Sequence, residues 1–291
     1  VYCGAALPGE SVEAAAATAR RTAAAEAEPA AEDVVLVLDL RSGDSAGLAR
    51  ALGLPAWEAG QRARRGGYQL QRVGSRAEAE AEAGRLAAAG LTVLSLPGAD
   101  VRAAARPVAA AAGRRREAAL ELRLDDRRRV ALAAADVLLV VEGPIVRQRQ
   151  VGEPRQRTLI LGIPRRWDDL TRTPGHRLHV HRRSSPQPIE LDAEGFEFEE
   201  RPPVGGPLGQ LRAWLGELAP AAPRDDAFAA LPPALAPAEP AGDRIRSALG
   251  RPQPRAAGPM LLDNLAQFRF YSAWRGCVER RVRAGREADE G

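Results

Sequence analysis

Residues 34–96 place the tightest limit on what this chain can fold into, because three strand-like runs there alternate with segments of helical period. VVLVLDL, YQLQRV and LTVLSL are the strand-like runs. ARALGLP and WEAGQRARRGG read as two short helices between the first two runs, and SRAEAEAEAGRLAAAG as a longer one before the third. Ser75 is placed to cap that longer helix, and Glu78, three positions on, completes a capping box. Ala79, Ala83, Leu86 and Ala87 recur at helical spacing, and Gly90 supplies the left-handed stop. The order β-α-α-β-α-β predicts a three-stranded sheet with its helices on one face.

The pattern changes beyond this module. ELRLD, ADVLLVV, IVRQRQV, RTLILGI, RLHVHR, PIELD and FEFEE have the short runs and alternation of antiparallel strands. Residues 207–218 then form an amphipathic helix, with Leu208, Leu211, Trp214, Leu215 and Leu218 on one side. The expected class is α+β: the small module, then a mostly antiparallel β domain capped by a helix, with flexible linkers and a C-terminal amphipathic helix. The expected boundaries are an Ala-rich tether over 1–33, the module at 34–97, a linker at 98–116 and the β domain at 117–219. A Pro- and Ala-rich linker follows at 220–258, the C-terminal helix at 259–284 and a tail at 285–291.

Composition narrows the function. All 42 basic side chains are Arg, so Schiff-base and Walker-type lysine chemistry are excluded. No nucleophile elbow, dinucleotide fingerprint or H-E-x-x-H pair occurs. Abundant Arg, Ala, Gly and Pro match GC-rich bacterial codons, which accounts for the Arg excess without nucleic acid, and aromatic residues at 4% are sparse for base stacking. No apolar run approaches the roughly 18 residues of a membrane span. Two cysteines at opposite ends argue against a disulfide framework. The expectation is a cytoplasmic, non-enzymatic binding or adaptor protein with a protein partner; a nucleic-acid- or ribosome-associated role is the alternative, and a membrane partner is not expected.

Four groups of residues are candidates for sites. The first is Cys3. VYCGAALPG resembles the second half of a zinc-ribbon knuckle, C-x-x-C-G-x-x-L-P, whose first cysteine would precede Val1; the resemblance implies zinc in a longer chain. The second is GHRLHVH, where His179 and His181 are two apart on one strand face and His176 or Asp168 would supply a third metal ligand. The competing reading is an exposed or half-buried strand face, because Arg172, Arg177, Arg182 and Arg183 repel a cation. The third is the basic cluster Arg62, Arg64, Arg65 and Arg72, read either as a partner surface or as a solvated helix face. The fourth is the tail helix, where Phe268, Tyr271 and Trp274 lie on or beside one face that either docks within the chain or meets a partner.

Residues 34–96 also resemble the C-terminal domain of the bacterial ribosomal stalk protein. Gly53, Leu54, Glu58, Ala59, Ser75, Ala79, Glu80, Leu86, Ala89, Gly90 and Val93 match its pattern, and the Clp protease adaptor fold is a second template. In the stalk family, residues of the first two helices contact translational GTPases. The matching positions here are Arg41, Ser42, Ser45, Ala46, Ala49 and Gly60, with one basic residue among them, so the resemblance implies the fold with a different partner. Residues 117–219 resemble a pleckstrin-homology-like barrel in element order alone.

Overall fold

Local signals build the first unit. The structure, a computed structural model, describes residues 33–42, 44–150, 157–158, 164–165, 170–200, 205–230 and 261–289. Strand β1 (Asp33–Asp39) is followed by α1 (Ser45–Leu52), α2 (Ala56–Arg65), β2 (Tyr68–Ser75), α3 (Arg76–Ala88) and β3 (Thr92–Pro97). Asp44 caps α1 by accepting from the N–H groups of Ala46 and Gly47 at 2.9 and 2.8 Å. Gly53 ends α1 at φ 63°, where a side chain would be strained. Ser75 and Glu78 make both bonds of the capping box on α3. Strands β2 and β3 flank β1, and both run antiparallel to it. Leu36, Leu38 and Leu40 pack beneath Leu48, Ala51, Ala59 and Leu86 from the three helices.

The second unit, residues 100–291, is built on one large sheet. Helix α4 (Gly98–Ala104) leads into β4 (Val108–Arg115), β5 (Ala119–Leu124), β6 (Arg129–Ala133), β7 (Val137–Gln150), the short pair β8 (Arg157–Thr158) and β9 (Pro164–Arg165), and β10 (Leu170–Arg182). β11 (Ile189–Asp192), β12 (Glu197–Phe198), α5 (Pro207–Leu218), β13 (Arg224–Asp225), β14 (Leu261–Asp263) and α6 (Leu265–Asp289) complete it. The strand order is β13-β7-β10-β11-β4-β5-β6, with β12 on β4 and β14 on β7. No ladder joins β6 to β13 among the described residues, so the path is open. Pairing is mostly antiparallel; β11 and β12 on β4, and β13 on β7, are the parallel ladders.

Each face of this sheet carries a helix. On one, Leu120, Leu122, Leu178, Val180, Ile189 and Leu191 pack with Leu211, Trp214 and Leu215 of α5 into an apolar core. On the other lies α6, with Phe268 against Gly143 of β7. No described helix is long and apolar enough to cross a membrane.

Three expected boundaries change. Residues 98–116 are a helix and a central strand rather than a linker. Strand β4 escapes notice because VAAAAGRR has neither bulk nor alternation, yet small residues are what this place requires. A Cβ on Gly113 would lie 2.8 Å from the Glu121 carbonyl and 3.0 Å from the Phe196 ring. Residues 224–230, assigned to a linker, also belong to the unit: Phe228 is buried and its ring lies 5.3 Å from that of Phe268. The tail helix begins at Leu265 and reaches Asp289, with β14 ahead of it.

Candidate functional site

Alternation along β10 separates two chemistries. Leu178 and Val180 face the apolar core, while Arg177, His179 and His181 point to the opposite face, under α6. The same holds on β11, where Ile189 and Leu191 are core and Glu190 and Asp192 lie on the polar side. The ladder sets His179 opposite Glu190 and Arg177 opposite Asp192. Helix α6 closes over them. Its Ser272 hydroxyl lies 2.8 Å from Nδ1 of His179 and 2.8 Å from Nε2 of His181. Arg269 donates two bonds of 2.8 Å to Glu190, and Nε2 of His179 sits 3.0 Å from the same carboxylate. From the same helix, Tyr271 donates to Asp225 at 2.7 Å and Arg275 pairs with it. Arg280 donates to the carbonyls of Arg182 and Ser185 at 3.0 and 2.9 Å.

Proton counting fixes the state of this seam. Glu190 is ionised: burial pushes its carboxyl up, but the bonds from Arg269 and His179 outweigh that and hold it at about 2. A carboxylate only accepts, so Nε2 of His179 carries the proton and Nδ1 is left to accept from Ser272. The hydroxyl has one proton to give, so His181 must donate to it from Nε2. The chain then runs His181 → Ser272 → His179 → Glu190, with both rings neutral. Burial lowers the pKa of both histidines. For His181, His179, Arg280 and Arg275 lower it further.

Serine, imidazole and carboxylate in hydrogen-bonded sequence have the connectivity of a hydrolytic triad. The surroundings do not. Ser272 and His179 are 0% exposed, so no substrate reaches the hydroxyl, and a second imidazole occupies its other side. The seam fixes a helix to a sheet: Phe268, Trp274 and Val278 supply buried apolar area, while the polar partners permit one register.

Gly276 gives the first test. A Cβ there would overlap the buried His181 ring, which has no room to turn aside. Ala in place of Gly gains about 1 kcal/mol of helix propensity, whereas overpacking costs about 1–3 kcal/mol. Gly276→Ala is expected to lower the urea midpoint of the second unit despite that gain; a raised midpoint would show that α6 is not held against β10 as described.

The candidate residues are thereby sorted. His179 and His181 are buried, not an exposed face, and three of their four ring nitrogens are engaged by Ser272 and Glu190. His176 is half-buried outside the seam, its backbone N–H donating to Glu194 at 2.9 Å. Phe268, Tyr271 and Trp274 are 0%, 3% and 0% exposed, so the tail helix docks within the chain and these aromatic rings offer no partner surface. Cys277 is no activated thiol: burial, with Asp100 nearby, pushes it up to about 11. Cys3 and Asp168 lie outside the described residues.

Arg62, Arg64 and Arg65 stay near the surface in the last turn of α2, which also exposes Trp57. Trp57, at 65% exposure, is one of two exposed large apolar side chains among the described residues; Val73 is the other. Its spacing from Gln61 and Arg64 (i, i+4, i+7) puts the three on one face. By contrast, Arg41, the basic residue at a stalk-like contact position, is tied to Asp39 at 2.6 Å and lies over the Tyr68 ring. Arg72 sits 3.8 and 3.9 Å from Glu78 and Glu82.

Sequence reasoning missed Trp57, Glu190, Ser272 and Asp225; alternation in PIELD and the placing of Ser272 within the apolar stripe of α6 were the available signals. No protein-family model, curated protein or solved structure matches this chain.

Proposed function

We propose that this chain is a non-enzymatic binding or adaptor protein that engages its partner through the outer face of α2. One observation carries the reading: α2 presents an exposed Trp57 in line with Arg64, with the exposed Arg65 next to it, while the Ser-His-Glu constellation is sealed. Trp and Arg are the residues that dominate binding energy at protein interfaces. Burying Trp57 would contribute about 1.5–3 kcal/mol, so leaving it in water has a cost that binding recovers.

The immobilised chain should retain a protein that the triple variant Trp57→Ser, Arg64→Ser, Arg65→Ser does not, with both chains melting alike. Equal retention by the two, or labelling of Ser272 by a fluorophosphonate probe, would overturn the reading.

A further inference from the structure

We infer that the partner surface of α2 takes an acidic protein segment carrying one apolar anchor, an inference that rests on the binding reading above. The charge inventory of the first unit points there. Residues 33–97 hold eight arginines and seven carboxylates, so the unit as a whole is nearly neutral. Half of its cations are answered locally. Arg41 pairs with Asp39, Arg72 with Glu78 and Glu82, Arg76 with Glu80, and Arg85 with Glu82. Arg64 and Arg65 lie toward the Trp57 side of α2, Arg62 toward the other side, and none of the three has a carboxylate within salt-bridge distance among the described residues.

Their position at a helix C-terminus suits the helix dipole, which explains why three cations are tolerated in one turn. It does not require them as caps. The Arg62 carbonyl already accepts from the Gly66 N–H at 3.1 Å and from the Gln69 amide at 2.9 Å, and that amide also reaches the Gly66 carbonyl at 3.2 Å. Arg64 and Arg65 are exposed on the same helix that exposes the Trp57 indole.

Spacing sets the ligand. Seven residues of helix separate Trp57 from Arg64, about 10 Å along the axis. A partner must place an apolar side chain on the indole and carboxylates about 10 Å away, which is two turns of a helix or three residues of an extended chain. The indole supplies most of the affinity, and Arg64 and Arg65 supply orientation and selection against basic sequences. Nucleic acid fits less well. Phosphate recognition gains from many contacts spread along a backbone, but here the arginines without an ion pair are few, Arg50 and the last turn of α2, and Glu78, Glu80 and Glu82 make α3 acidic.

The test uses the full chain with two fluorescently labelled probes. One is a Glu/Ala helical peptide with a single Phe and a Glu pair two turns from it; the other is a single-stranded oligothymidylate. The peptide is expected to bind, and Trp57→Ser or Arg64→Glu should each weaken it at least about tenfold with the melting temperature unchanged. Binding that neither substitution weakens overturns the assignment of the site. Tighter binding of the oligonucleotide, falling steeply with salt, overturns the acidic peptide in favour of nucleic acid. If neither probe binds while the triple variant still loses the retained protein, the partner class is wrong and the binding reading stands.

Discussion

Replacing Glu190 with Gln is expected to remove about 3 kcal/mol or more from the stability of the second unit, because it takes away the buried anion that Arg269 and Arg177 share. Glutamine keeps the shape of the side chain and can still accept from Nε2 of His179. It cannot serve as the anion for Arg269, which donates two bonds to Glu190, nor for Arg177, whose side chain is 4% exposed and whose Nε lies 3.9 Å away. Arg177 retains Asp192, and Arg269, at 37% exposure, can turn toward water. The loss therefore belongs at the lower end of the about 3–5 kcal/mol typical of broken buried pairs. Urea unfolding followed by tryptophan emission measures it. A double-mutant cycle with Arg269→Gln should return a coupling above about 1 kcal/mol. A loss under about 1 kcal/mol for Glu190→Gln alone would mean that the seam is wet and that α6 is held by Phe268 and Trp274 alone.

The sequence alone does not reveal this seam. RLHVHR and PIELD each alternate apolar with polar residues, and alternation states parity without stating which side is wet. A polar stripe beside an apolar one is ordinarily the solvent side of an antiparallel strand. Here a helix about 80 residues later covers it, and the covering element matches polar side chains with polar side chains: Ser272 for the imidazoles, Arg269 for Glu190, Arg275 for Asp225. The amphipathic pattern of residues 259–284 predicts a helix with Tyr271 near its apolar face, but it sets Arg269 and Arg280 elsewhere and gives Ser272 no role. The first unit was legible because its determinants are local. Ser75 and Glu78 are three residues apart, Gly53 and Gly90 stand where α1 and α3 stop, and the apolar runs of β1 and β3 are contiguous. Strand β4 was illegible for the opposite reason, since its Gly113 is dictated by Leu122 and Phe196, which approach it from elsewhere in the chain.

Acid is expected to loosen the second unit well before ordinary carboxylates titrate. An imidazole in the unfolded chain takes up a proton near pH 6.5, whereas burial holds both His179 and His181 below that value in the fold. Their stability contribution is therefore complete above the unfolded pKa and is lost as pH falls from about 6.5 toward the depressed folded values. Protonating either ring also breaks the hydrogen-bond chain. A proton on Nδ1 of His179 turns it from acceptor to donor toward Ser272, and His181⁺ would stand beside Arg275 and Arg280. While the fold excludes both protons, the slope approaches about 2.7 kcal/mol per pH unit, twice the single-site value of about 1.36. Below about pH 4.5 the ionised Glu190, held at about 2, adds a loss of the same sign, since the unfolded carboxyl is protonated first. Urea midpoints for the full chain between pH 7.5 and 5.0 test this, with His179→Gln and His181→Gln each expected to remove about half the slope. Stability that stays flat across that range would show that the fold accepts the protons, and the buried, neutral arrangement of His181, Ser272, His179 and Glu190 would have to be abandoned.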